Sequence, residues 1–191
     1  MSLTQRSTKS ETVSSETEPL ILVDSNDNEL GHMTKQGCHA GRGTLHRAFS
    51  IFIFNSKSEL LIHQRAESKR LWPNFWSNSC CSHPRKGESV KEASSRRLRE
   101  ELGIFSSLKF LYKFEYNATY NDMVGEHELC HVLAGQSDQE PAVNATEIQN
   151  YRWVLPKLLR EEIAKDSTLF TPWFLLEFER VIKDYQADSL A

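Results

Sequence analysis

No stretch of the 191-residue sequence is apolar over the roughly 20 positions that a membrane-crossing helix needs. No apolar run near the first residues has the form of a secretion signal. Both absences place the chain, as an expectation, in the cytoplasm and away from membranes. Cysteine is scarce, with only Cys38, Cys80, Cys81 and Cys130. That is no disulfide framework, and the adjacent pair Cys80 and Cys81 is poorly placed to bridge, so free thiols in a reducing compartment are expected. Charge of one sign is also lacking: 23 Lys and Arg stand against 26 Asp and Glu, interleaved, for a net charge of -3. Such a balance gives no uniform field for nucleic acid or an anionic membrane. Large apolar residues are nearly missing from the opening "MSLTQRSTKSETVSSETEP". Burial there cannot repay ordering entropy, so residues 1–18 are expected as a disordered polar tail before one domain at 19–191.

What is present begins with "LILVD" and "SNDN", a strand and a turn that start a hairpin. "HAGRGTLH" is a glycine-broken loop with a histidine at each end, able to wrap a ligand. "AFSIFIFNSKSELLIHQRA" gives two strands around the turn "NSKS", the first apolar enough for burial on both faces, and is expected as a core hairpin. "SVKEASSRRLREEL" is the clearest helix: Ser89 is the N-cap, Glu92 completes a capping box and Gly103 follows the last turn. Its apolar stripe is Val90, Ala93, Leu98 and Leu102, and Arg97 and Glu101 share another face at i and i+4. "KFLYKFEYNA", "HELCHVLAG" and "YRWV" read as strands, and helical patterning fills the last third with Pro172 at a helix start. The order predicts an α+β fold with a mixed sheet between helices.

Three groups of residues could carry chemistry. In "GEHEL", strand alternation puts Glu126 and Glu128 on one face, where two carboxylates repel unless they share a proton or a cation. A solvated strand face is the bland alternative, but His39, His46 and His83 sit in or beside loops and would complete a nitrogen and oxygen ligand set. "RRLREELG" approximates a pattern that holds a divalent cation against a diphosphate; an exposed, salt-bridged helix face is its alternative. Finally, "RAESKRLWPNFWSNSCCSHP" places Arg65, Lys69 and Arg70 near Trp72, Trp76 and Cys81. Cationic and aromatic walls around a thiol suit a ligand with an anionic head and an apolar body.

The motifs "HAGRGTLHRAFS", "SKRLWPNFWSNSCCSHPRKGES" and "GEHEL", in that order and spacing, make the chain resemble the type I isopentenyl-diphosphate isomerases, members of the Nudix fold superfamily. The resemblance runs from "ILVDSNDNELG" to "TPWF". It implies a Nudix-type fold and interconversion of isopentenyl and dimethylallyl diphosphate by protonation and deprotonation, in isoprenoid biosynthesis. It implies Cys81 and Glu128 as catalytic groups on opposite faces of the substrate, with Tyr116 and Trp173 around the alkene. His39, His46, His83, Glu126 and Glu128 would bind one divalent metal, Mn, Zn or Mg. Glu101 would hold a second ion, Mg, bridging to a diphosphate that also meets Lys35, Arg65, Lys69 and Arg97. A monomer with a small prenyl diphosphate as its partner is the accompanying expectation. The chain departs from the hydrolytic Nudix pattern, with Ser82 at the opening glycine and Arg97 at a glutamate, which favours gripping a diphosphate over cleaving it. A Nudix hydrolase and a non-catalytic metal or thiol module are the rival readings. Cys81 is expected to face the site and Cys80 to pack; Cys130 alternates onto the face of Glu126 and Glu128.

Overall fold

A computed structural model describes residues 11–188, so the first ten residues of the expected tail lie outside the described residues. Residues 11–18 make specific contacts. Asn144 Nδ2 donates to the Glu11 carbonyl at 2.7 Å, Arg97 to the Val13 carbonyl at 2.9 Å, and Lys35 to Ser14 Oγ at 2.8 Å. This polar strap therefore lies across the domain.

The strands β1 (Pro19–Val23) and β2 (Glu29–Thr34) form the opening hairpin, and α1 (Lys35–Cys38) follows as one turn capped by Thr34. Next come β3 (His46–Phe54), β4 (Leu60–Arg65), β5 (Trp76–Ser77) and β6 (Cys80–Ser82). Helix α2 (Val90–Leu102) has the full capping box of Ser89 and Glu92 and a left-handed Gly103 at its end. The long strands β7 (Lys109–Asn121) and β8 (Val124–Gln136) are followed by β9 (Ile148–Val154), α3 (Pro156–Lys165), a 3-10 turn (Ser167–Leu169) and α4 (Pro172–Asp188).

Among the described residues these strands make one nine-stranded mixed sheet in which β3 and β8 are parallel and every other pairing is antiparallel. The expected core hairpin of β3 and β4 is a fork. The two strands share a single pair, Phe54 with Leu60, and then diverge. β3 runs its whole length against β8 and takes β6 on its other side, while β4 pairs with β9 and β5. A strand buried on both faces needs partners along both edges, and a local turn supplies only one of them.

Alternation along β3 divides the core in two. Phe49, Ile51 and Ile53 pack with Ala93, Leu98 and Leu102 of α2, whereas Phe52 and Phe54 pack with Phe174, Phe178 and Val181 of α4. Fully buried phenylalanines such as Phe52 and Phe174 contribute about 1.5–3 kcal/mol each by leaving water. The sheet is thus held between helices on either face. No helix among the described residues is long and apolar enough to cross a membrane.

Candidate active site

Strand register assembles the first part of the site. Pairing of β3 with β8 sets His46 opposite Glu128, and pairing of β7 with β8 sets Tyr116 opposite Glu128 and Ala118 opposite Glu126. Pairing of β3 with β6 sets Cys81 opposite Ser50 and Cys80 opposite Ile51. Cys80 therefore enters the core beneath α2, fully buried, while Cys81 packs on the α4 side and lines a cavity of about 450 Å³. Tyr116, Glu126, Glu128 and Trp173 line the same cavity.

The protonation states here follow from burial and neighbours. Burial pushes the Cys81 thiol up to about 12 despite the Arg65 guanidinium, whose nearest nitrogen is 3.9 Å from Sγ, so the sulfur keeps its proton. For Glu128, burial would raise the pKa, but the imidazoles of His46, at 3.6 Å, and His83, at 2.9 Å, outweigh it and hold the carboxyl well below its usual range. Glu126 is pushed up to about 7 by burial and by the charge of Glu128. The Tyr116 hydroxyl reaches Glu128 at 2.7 Å and Glu126 at 3.0 Å, and burial beside these carboxylates keeps it neutral. Two carboxyls and a phenol thus share protons on one side, and a protonated thiol opens onto the same cavity.

Three histidines close around Glu128. Ring centroids of His39, His46 and His83 are 4.8–5.4 Å apart, and one donor atom from each, with one Glu128 oxygen, all lie within 4.8 Å of one another. His39 is carried at the end of α1 and His46 begins β3. The loop between them needs glycine: Gly43 has φ +82, and a Cβ there would meet the His127 backbone nitrogen at 2.7 Å. Burial first, then the neighbouring imidazoles, depress His39 to about 2, and burial depresses His83 to about 4. Burial would lower His46 as well, but the Glu128 carboxylate, 3.6 Å from its Nε2, outweighs this and raises its pKa. His46 Nδ1 lies 2.7 Å from the Thr44 carbonyl, which can only accept. The proton on that side is therefore fixed, and Nε2 faces the cluster.

A divalent cation fits these groups. The Nε2 atoms of His39 and His46 are buried without a hydrogen-bond partner, and the donor set of imidazole nitrogen and carboxylate oxygen suits such an ion. Glu126, expected as a fifth ligand, stands outside this cluster of four and is linked to Glu128 through Tyr116.

A second wall of the cavity is cationic. Lys35, Arg65, Lys69 and Arg97, which the resemblance assigns to a diphosphate, all line it. Arg65 is fixed by the carbonyls of Leu71 (2.8 Å) and Trp72 (3.0 Å), in a turn where Trp72 and Asn74 both have positive φ. Its guanidinium carbon lies 5.2 Å from the centre of the Trp173 ring. Trp173 is held in turn by Ser77 Oγ (3.0 Å) and Asn78 Oδ1 (3.1 Å), which accept from its indole nitrogen. Arg97 donates to Glu101 at 2.5 Å, the i, i+4 pairing expected on α2. Burial raises the Glu101 pKa, against the opposing pull of Arg97.

Other cavity residues carry no local signal in the sequence. Glu147 pairs with Lys69 at 2.5 Å and Arg97 at 3.2 Å. Glu16 pairs with Arg70 at 3.2 Å and Lys35 at 3.5 Å. Each is a lone carboxylate with no spacing to mark it, and only the tertiary fold brings it to its cations.

The chain is similar to several known proteins. The NUDIX domain family matches residues 44–174. Isopentenyl-diphosphate Delta-isomerase 1 of Photorhabdus laumondii is 45% identical over 170 residues, covering 88% of this chain and 97% of the relative. The isopentenyl-diphosphate Delta-isomerase of Pectobacterium atrosepticum is 39% identical, covering 88% and 93%. Among solved structures, DR0079 from Deinococcus radiodurans aligns with a TM-score of 0.64 at 27% identity, covering 78% of this chain and 90% of that one. A MutT protein from Methanosarcina mazei aligns at 0.61 and 20% identity, over 74% and 95%, which speaks to the fold.

Proposed function

The chain belongs to the isopentenyl-diphosphate Delta-isomerases of the NUDIX-domain superfamily, and on that premise we propose that the cavity interconverts isopentenyl diphosphate and dimethylallyl diphosphate, with its side chains divided as follows. The observation that carries this division is a thiol, Cys81, in one cavity with a hydrogen-bonded cluster of Glu128, Tyr116 and Glu126 and a wall of cations.

The reaction moves a double bond between C3–C4 and C2–C3. A proton is added to C4, positive charge develops at the tertiary C3, and a different proton leaves C2, so the carbon skeleton and the charge balance. This requires a donor and an acceptor that exchange roles when the reaction reverses. Cys81 and Glu128 take these roles, one on each side of the short chain, and Tyr116 relays and orients at Glu128. Trp173, held edge-on by Trp72 at 5.3 Å and tethered through its indole N–H, offers a ring face to the developing cation. Tyr116 and Trp173, the aromatic side chains beside the alkene, would keep water from a tertiary cation that it would trap as an alcohol.

Lys35, Arg65, Lys69 and Arg97 grip the diphosphate and supply remote binding energy for the step. His39, His46, His83 and Glu128 would hold one divalent cation, Mn, Zn or Mg, with Glu126 beside them, and Glu101 would hold Mg. A cation at the histidines would supply a fixed positive charge that tunes the proton affinity of Glu128. Arg97 at the place of a hydrolytic glutamate supports retention of the diphosphate, because it sets a cation where a hydrolase needs a ligand.

The allylic product solvolyses in acid and the homoallylic substrate does not, so acid-labile radiolabel formed from isopentenyl diphosphate reports turnover. Wild type should form it in the presence of Mg. Cys81→Ala and Glu128→Gln, folded by circular dichroism, should each lose at least about a thousandfold. Orthophosphate release, or full turnover by either variant, would contradict the assignment.

A further inference from the structure

Glu147 is used by none of the steps above, yet it is among the most constrained carboxylates in the cavity. It is 6% exposed and directly precedes β9. Its backbone is anchored at both ends: its N–H donates to the Asn144 carbonyl at 3.0 Å, and its carbonyl accepts from Ala66 at 2.9 Å. Its two oxygens are divided between two cations, one 2.5 Å from Lys69 Nζ and the other 3.2 Å from Arg97. The same Arg97 nitrogen meets Glu101 at 2.5 Å. The result is a buried chain of alternating charge, Glu101, Arg97, Glu147 and Lys69, along the wall assigned to the diphosphate.

Resting on that assignment, we propose that Glu147 is a positioning residue that aims Lys69 and Arg97 at the diphosphate and, by its own charge, makes diphosphate binding depend on a divalent cation. On this wall Lys35, Arg65, Lys69, Arg70 and Arg97 stand against Glu16 and Glu147, with Glu101 behind Arg97, while Glu126 and Glu128 belong to the other wall of the cavity. An excess of two positive charges remains. A diphosphate monoester brings about three negative charges at neutral pH and overshoots it; with a doubly charged cation it does not. With Glu147 neutral, the same wall would balance the diphosphate alone. Arg65, Arg97 and Glu147 are buried, where such an imbalance is screened less than in open water, so one charge has a large effect on affinity.

The two halves of one ion pair give opposite signs. Binding of inorganic diphosphate would be followed by calorimetry in chelator and in excess Mg for the wild-type chain, Glu147→Gln and Lys69→Gln. Wild type should bind more tightly with Mg. In Glu147→Gln the metal-free affinity should rise at least tenfold, so that the enhancement by Mg collapses. In Lys69→Gln the metal-free affinity should fall and the enhancement grow. A purely structural role would weaken both variants in the same direction. Equal Mg enhancement in all three chains would overturn the proposal and leave the diphosphate site standing. Absence of any binding to wild type, with or without Mg, would overturn both. If Glu147→Gln does not fold, an unchanged Mg enhancement in Lys69→Gln would by itself refute the charge argument.

Discussion

Glu177→Gln should make the protein more stable at alkaline pH and hardly change it at acid pH. Glu177 lies on α4, fully buried, with one carboxyl oxygen 3.5 Å from Cys130 Sγ and the other unpartnered. Burial, against weaker hydrogen bonds from Ser50 and Cys130, pushes its pKa from 4.5 to about 8. Between those values the folded chain holds a proton that the unfolded chain has released, so stability falls as pH rises through this window and levels off above about 8. Each unit corresponds to about 1.4 kcal/mol, and the 2.5 units between 4.5 and neutrality therefore cost on the order of 3 kcal/mol at pH 7. Local relaxation and water entry reduce the expected value to about 2–3 kcal/mol. Glutamine keeps the shape and an acceptor oxygen but does not titrate. Urea denaturation of both chains at pH 5, 6, 7 and 8 isolates this group by difference, since every other titration is common to the two. The variant's advantage should grow by about 1 kcal/mol per pH unit. A difference that stays constant with pH would refute the reasoning.

Tyr116→Phe removes the hydroxyl that joins Glu126 and Glu128 and should lower kcat by roughly 10- to 100-fold with an unchanged far-ultraviolet spectrum; turnover at the wild-type rate would contradict its role. Chelation of divalent metal should lower Tm, by about 2.7 kcal/mol of stability where the metal had stood at a hundred times its Kd, and His83→Ala should abolish this response in a melting experiment. Asp27 receives Arg47 at 2.7 Å, His131 at 2.9 Å and Lys113 at 3.4 Å, joining the first hairpin turn to β3, β7 and β8. Asp27→Ala should cost about 1–3 kcal/mol in denaturant, discounted for partial exposure, with activity retained. Glu16→Gln frees Lys35 and Arg70 for an anion and should lower KM for the diphosphate roughly two- to fivefold in steady-state assays.

What was legible in the sequence was local. The capping box of Ser89 and Glu92 with Gly103 marks both ends of α2, because each end is satisfied by residues within a few positions. Alternation places Glu126 and Glu128 together, and Pro172 opens α4 as its fixed φ suggests. The fork between β3 and β4 was not legible, because nothing in the turn "NSKS" says that β8 and β9 will supply the longer pairings. The choice between Cys80 and Cys81 needed the register of β6 against β3. Glu147 was invisible for the same reason: it acts on Lys69, 78 residues away, through a pairing that exists only once β9 has docked on β4. The contacts of residues 11–18 are equally non-local, since the cations that hold the strap include Lys35 of α1, Arg97 of α2, Arg70 and Arg85.

Proton transfer by Cys81 and Glu128 on opposite sides of a bound prenyl diphosphate can be followed by proton NMR of isopentenyl diphosphate in deuterated buffer with the purified protein, Mg and Mn. Dimethylallyl diphosphate should appear with deuterium incorporated, and both signals should vanish in Cys81→Ala and in Glu128→Gln. Release of phosphate, or an unchanged spectrum with the metal-loaded wild-type chain, would contradict it.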